Sequence, residues 1–182
     1  MRGFTSTSGP VDRVLSGDRL ARIDGKLDGS QLVDCFEISS QRSYEQDPHY
    51  ALQALRETAS KALSPGINDP GTAVEVVARL ERLLWDEWLG KPPASDVDYD
   101  RLYIKGLPDG SLIATAFRDI SRDGAGFVDV LLPISHALAV LERRCDVEGR
   151  KTIKDLQEAL DQHAEEGLNT QAERERFRAG RA

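Results

Sequence analysis

Two cysteines in 182 residues, Cys35 and Cys145, stand far apart and without a Cys-x-x-Cys spacing. That leaves nothing for a disulfide framework or a thiolate zinc site, and it fits a reducing, cytosolic compartment. Histidine is as scarce: His49, His136 and His163 are scattered, with no His-Glu-x-x-His pair to hold a metal. Positive charge is in deficit. Twenty-four Lys and Arg against 31 Asp and Glu give a formal net charge of −7, the wrong sign for a nucleic-acid binder, which presents a basic face. The longest apolar run, Phe127 to Leu141, is too short to span a bilayer and is interrupted by Asp129, Pro133 and His136. The opening residues, Met1 to Val14, lack the apolar stretch of a signal peptide. The expectation is a soluble chain with no metal, no cofactor, no nucleic-acid partner and no transmembrane span of its own.

What is present suffices for one core, with 40% hydrophobic and 30% charged residues. Residues 1–10, rich in Gly, Ser, Thr and Pro, read as a disordered lead-in. Short β-type alternation about Ser16-Gly17-Asp18 predicts a small hairpin over 11–24. From 29 to 168 the pattern is helical, so 11–168 reads as a single mostly helical domain. Leu32, Cys35 and Phe36 at helical spacing place a first helix near 29–38.

Asp47-Pro48 opens a stronger helix, reaching about Leu63. An Asp carboxylate caps orphan N–H groups, and Pro suits the first helical position. Asp69-Pro70 opens the next in the same way, with Ala73, Val76, Val77, Leu80, Leu84 and Trp88 on one face. The two, about 16 and about 20 residues long, are expected to fold back as an antiparallel hairpin. Ala51, Ala54, Ala59 and Ala62 would let the backbones close. A surface loop follows over 89–100, then a short strand over 101–107 and a helix over 109–122, stopped by Gly124 and Gly126. The most apolar helix runs over 126–144 and is expected to kink near Pro133. A last amphipathic helix over 147–169 turns Ile153, Leu156 and Leu160 inward. In the basic tail 169–182, Glu173 and Glu175 interrupt Arg174, Arg176, Arg178 and Arg181, so it reads as a solvated, fraying helix end. The fold class is mainly α: a multi-helix domain based on a helical hairpin, with a small N-terminal β element.

Two stretches, RSYEQDP (42–48) and SPGINDPGT (64–72), hold more polar groups than turns require. Helix N-termini present unpaired N–H groups and a partial positive charge, so an anion can dock there. Arg42 adds a full charge, Gln46, Asn68 and Thr72 add neutral hydrogen bonds, and Asp47 and Asp69 add carboxylates for a cation or for hydrolysis. These six are the candidate ligand-binding residues, for an anion, a metal or a small molecule. Against that stands a structural reading. As caps, Asp47 and Asp69 fill the same N–H groups, and in an antiparallel pair the two helix starts lie about 24 Å apart.

Local structure accounts for Pro65, Gly66, Asp69 and Pro70, with Gly66 free to take positive φ and Ile67 placed to staple onto Val74. Asn68 and Thr72 are left over. Other carboxylates, Glu45, Asp119 and Asp123, have no spacing that sets a pair beside a His. Ser64 and Ser135 lie outside any G-x-S-x-G, and no phosphate-binding glycine loop is present. Trp85 and Trp88 read as a core lid or an interface patch, and His136 as a core histidine. No catalytic residue is assigned.

The segment from Arg42 to Leu84 resembles the signature of the bacterial predicted membrane proteins catalogued as domain of unknown function 2254. The likeness is carried by Arg42, Gln46, Asp47, Tyr50 and Leu52, then by Ala62 to Pro70, Thr72 and Ala73. A weaker likeness over 101–126 extends it to about residues 14–160. The resemblance implies a soluble region that follows transmembrane helices, a bacterial origin, and a place at the cytosolic face of the inner membrane. Those helices are missing here, so the chain reads as a piece of such a protein or as a stand-alone relative. The family brings no activity with it. The expected role is a non-catalytic domain for assembly or regulation, meeting another copy as a homo-oligomer or a membrane-embedded partner segment.

Overall fold

The computed structural model describes residues 4–6, 14–23, 36, 38–44, 47–90, 102–103 and 106–181. The chain divides into two compact units, Met1–Tyr50 with Pro92–Leu107, and Ala51–Lys91 with Pro108–Ala182. Among the described residues it is mainly helical, with six α-helices.

In the first unit, three short strands are ordered β2-β1-β3: β1 (Phe4–Ser6), β2 (Ala21–Ile23) and β3 (Leu102–Tyr103). β1 runs antiparallel to β2, with Phe4 opposite Ile23, and parallel to β3. The hairpin expected over 11–24 is not supported. Asp18 closes a turn on itself, accepting the Leu15 N–H at 2.7 Å and donating its own N–H to the Leu15 carbonyl at 3.0 Å. With Leu15 held there and Gly17 at φ +96°, Val14 and Leu15 form no strand. The helix expected near 29–38 falls mostly outside the described residues, and Phe36 and Ile38 are not helical. Most of the loop over 89–100 also lies outside them.

The helices are α1 (Pro48–Ala62), α2 (Pro70–Leu83), α3 (Asp109–Asp123), α4 (Val128–Glu142), α5 (Val147–Gly167) and α6 (Gln171–Gly180). A single π-helical turn, Leu84–Trp88, prolongs α2, and the Leu89 N–H closes it on the Leu84 carbonyl at 2.9 Å. In the second unit α4 is the central element. It buries Val130, Leu131, Ile134, Ala137, Leu138 and Leu141 and packs against α2, α3, α5 and α6. It runs unbroken through Pro133, whose missing N–H deprives only the Asp129 carbonyl of a ladder bond.

α3 and α5 share the most extensive helix–helix contact, and two glycines fit tightly there. A Cβ on Gly110 would meet Thr152 Oγ1 at 2.5 Å, and one on Gly149 would meet the Cys145 Cβ at 2.7 Å. On either side of that seam, Leu112, Ala116 and Ile120 from α3 and Ile153, Leu156 and Leu160 from α5 are buried.

α2 packs Ala73, Val76, Val77 and Leu80 against α4, whose Leu and Ile side chains supply the apolar area, while α1 buries Leu52, Ala59 and Ala62. The basic tail, expected as a fraying end, is corrected by the structure. Thr170 and Glu173 form a capping box at the start of α6, and Phe177 is buried.

Candidate functional site

In the first unit, Asp47 is the buried centre of a small cluster. One carboxylate oxygen accepts the Tyr50 N–H at 3.1 Å, capping α1, and the other accepts Arg42 Nε at 2.5 Å. The Tyr50 ring stacks on Tyr44, with centroids 4.6 Å apart and planes 7° from parallel, and the Arg42 guanidinium lies 4.9 Å from its centroid. The cluster ties the approach to α1 by an ion pair, a cap and a cation–π contact together. Glu45 and Gln46 lie outside the described residues.

The second motif belongs to the other unit, between α1 and α2. Its backbone groups are bonded in sequence: Leu63 N–H to the Ala59 carbonyl, Ser64 N–H to Lys61, Ile67 and Asn68 N–H to Ser64, and Asp69 N–H to Ala62 at 2.8 Å. The left-handed residue of this turn is Asn68, at φ +53°. Gly66 does not take positive φ, contrary to expectation. Asn is among the few side-chain-bearing residues that enter that region readily, so the backbone accounts for Asn68. Thr72 is accounted for as well: its N–H and its hydroxyl both donate to Asp69, at 3.1 and 2.6 Å. Those two bonds hold the Asp69 carboxyl below its ordinary range, the hydroxyl contributing most. The staple expected of Ile67 is weak, since half of its surface is exposed.

Arg42 and Asp47 are therefore brought together, and so are Asn68, Asp69 and Thr72. The structure gives each set a local bonding role. Among the described residues, no three His, Cys, Asp or Glu side chains converge as a metal would require.

Sequence reasoning missed a polar cleft of about 480 Å³ in the second unit, lined by Arg56, Ser111, Thr115, Arg118, Asp119 and Thr152 among others. Arg56 crosses from α1 to Asp119 on α3 at 2.6 Å. The signal was present as Ser111, Thr115 and Arg118 at i, i+4 and i+7 on one face of α3. Arg144 was missed as well. Its Nη1 donates to the Trp85 carbonyl in the π turn at 2.6 Å, and its guanidinium lies 4.7 Å from the Trp85 ring centroid. Beside the α3–α5 seam, Asp109 accepts the Asp146 N–H at 2.8 Å. Partial burial still raises the Asp109 carboxyl above its ordinary range. Burial likewise raises the Cys145 thiol.

The chain belongs to the family described as predicted membrane protein, domain of unknown function 2254, whose model matches residues 6–140. The match starts earlier and stops sooner than the motif suggested, so α5 and α6 lie beyond it. No curated protein and no solved structure matches the chain. Among the described residues, no helix is long and apolar enough to cross a membrane.

Proposed function

We propose that this chain is a non-catalytic domain of a membrane-associated bacterial protein, standing on the cytosolic side of the inner membrane and acting in assembly or regulation. Its partner is another copy of itself or a membrane-embedded segment of the same protein. One observation supports this reading above the rest: the polar residues of the family motif are engaged in making joints. Asp47 holds Tyr50 and Arg42, Asp69 holds both donors of Thr72, and Asn68 supplies a left-handed turn. A motif used in this way delivers a defined geometry rather than a reaction. Sedimentation velocity over a wide concentration range tests it, with association expected as concentration rises. A strictly monomeric chain that also fails to bind the family's membrane region would overturn it.

A second reading keeps Arg42, Gln46, Asp47, Asn68, Asp69 and Thr72 as ligand groups for an anion, a metal or a small molecule. The observation favouring it is the convergence of a guanidinium, a carboxylate and two stacked rings at Arg42, Asp47, Tyr44 and Tyr50. A thermal-shift screen against metals, nucleotides and phosphates separates the two readings. A rise in melting temperature that Arg42→Ala abolishes supports the ligand site; no rise with any of them removes it.

A further inference from the structure

α6 is seated across two stripes of side chains. On α4, Asp129, Leu132 and His136 fall at i, i+3 and i+7; on α5, Asp161 and Glu165 fall at i and i+4. Asp129 takes Arg176 at 2.6 Å, Glu165 takes Arg178, and Asp161 takes Arg181. His136 Nε2 lies 2.8 Å from the Gly180 carbonyl. Gly180 comes so near α4 that a Cβ there would meet Leu132 Cδ2 at 2.7 Å. A single aromatic, Phe177, fills the apolar part of the seat. The surface beneath α6 is thus a receptor for one kind of object: a short basic helix with one aromatic anchor.

Two features make α6 exchangeable. The capping box between Thr170 and Glu173 is internal to α6, so its helical start does not depend on the seat. The connector is extended at Leu168 (ψ 129°) and at Thr170 (ψ 151°), and between them Asn169 is exposed. Leu168 is buried and stays with α5, so rotation at Asn169 alone redirects α6. Two of its ion pairs, Asp129–Arg176 and Glu165–Arg178, are exposed ones that salt screens, while Arg174 also donates to the Leu168 carbonyl.

We infer that the α4–α5 seat is a self-association surface, and that its occupant in the assembled protein is α6 of a second copy, exchanged reciprocally. This rests on the oligomerisation proposed above and names the surface that carries it. In the monomer the same helix fills its own seat and keeps that surface closed.

Charge reversal in two separate chains tests the exchange. One carries Arg176→Glu with Arg178→Glu, and the other carries Asp129→Arg with Glu165→Arg. Alone, each is expected to be monomeric, with rapid hydrogen exchange across 171–180. Mixed one to one, they are expected to form a heterodimer of twice the monomer mass, with exchange in α6 slowed at least tenfold. The chain carrying all four substitutions should protect α6 again by itself, which shows that every variant folds. A mixture that stays monomeric while the fourfold variant is protected overturns the exchange, and a fourfold variant without protection overturns the charge-matched seat. If wild type associates while the mixture does not, only this inference falls. If the mixture associates while wild type stays monomeric, the oligomerisation reading falls and takes the exchange in the native protein with it, leaving only the charge match between α6 and its seat.

Discussion

Thr72 gives both its backbone N–H and its hydroxyl to the one carboxylate of Asp69, at 3.1 and 2.6 Å. The residue that looked least necessary to the turn is what fixes its cap. Asn68, next to Asp69, supplies the left-handed step at φ +53°. Together they turn a polar-rich motif into a joint, and that assignment separates from a ligand role by experiment.

Asn68 is the first test. Asn68→Gly keeps the backbone option and removes the amide, so thermal unfolding should match wild type or exceed it. Asn68→Ala keeps neither and should lower stability by about 1 kcal/mol. A ligand role for the amide would make both variants equal in binding loss, whatever their melting temperatures.

Acid titration tests the cap. Thr72 lowers the Asp69 carboxyl in the folded state, so its stabilisation is complete above the unfolded value, about 3.9. It is lost as pH falls through the lower folded value. Asp69→Asn retains an acceptor oxygen without the charge. Its melting temperature should lie below that of wild type near pH 7, with the gap closing towards pH 2.

Asp109 should behave in the opposite sense. Burial raises its carboxyl in the folded state, so the fold is favoured below the unfolded value and loses that advantage as pH rises through the folded one. Asp109→Asn keeps an acceptor for the Asp146 N–H and removes the penalty. The variant should gain on wild type as melts are recorded from pH 3 up to pH 7, whereas Asp109→Ala should be less stable throughout.

Two glycines give a paired control. Gly90 sits at φ +63°, and a Cβ there would lie 2.6 Å from Arg144 Cγ and 2.7 Å from the Arg144 carbonyl oxygen. Gly90→Ala should cost about 1–3 kcal/mol in denaturant unfolding. Gly66 has no positive φ, and a Cβ there would meet nothing within 4 Å. Gly66→Ala should therefore be neutral or stabilising by about 0.4–1 kcal/mol.

The helices were legible because their signals are local. Asp47-Pro48 and Asp69-Pro70 mark two starts, and Ile153, Leu156 and Leu160 trace one face. Partner choice was not legible, because it depends on which apolar faces compete: nothing local in α2 marks α4, far along the chain, as the helix it packs against. The 11–24 hairpin failed on a single turn, where Asp18 captured the Leu15 N–H that a ladder would have needed. Of the candidate site, the pairing of Arg42 with Asp47 was within reach of the spacing. The role of Asn68 was not, since a positive φ leaves no trace in composition. Phe177 was passed over because arginines surround it, although one buried ring decides whether such a segment is held.

The tight packing at Gly110 and Gly149 has a consequence for how the second unit comes apart. Between most helices a layer of side chains can shift rotamers and yield a little at a time. At these two positions the neighbouring atoms already occupy the space a Cβ would need, so the seam has little room to yield gradually. Amide hydrogens along α3 and α5 should therefore await global opening, while α6 exchanges its hydrogens independently. The two missing methyl groups divide the unit into a part that opens only as a whole and a part that is free to move first.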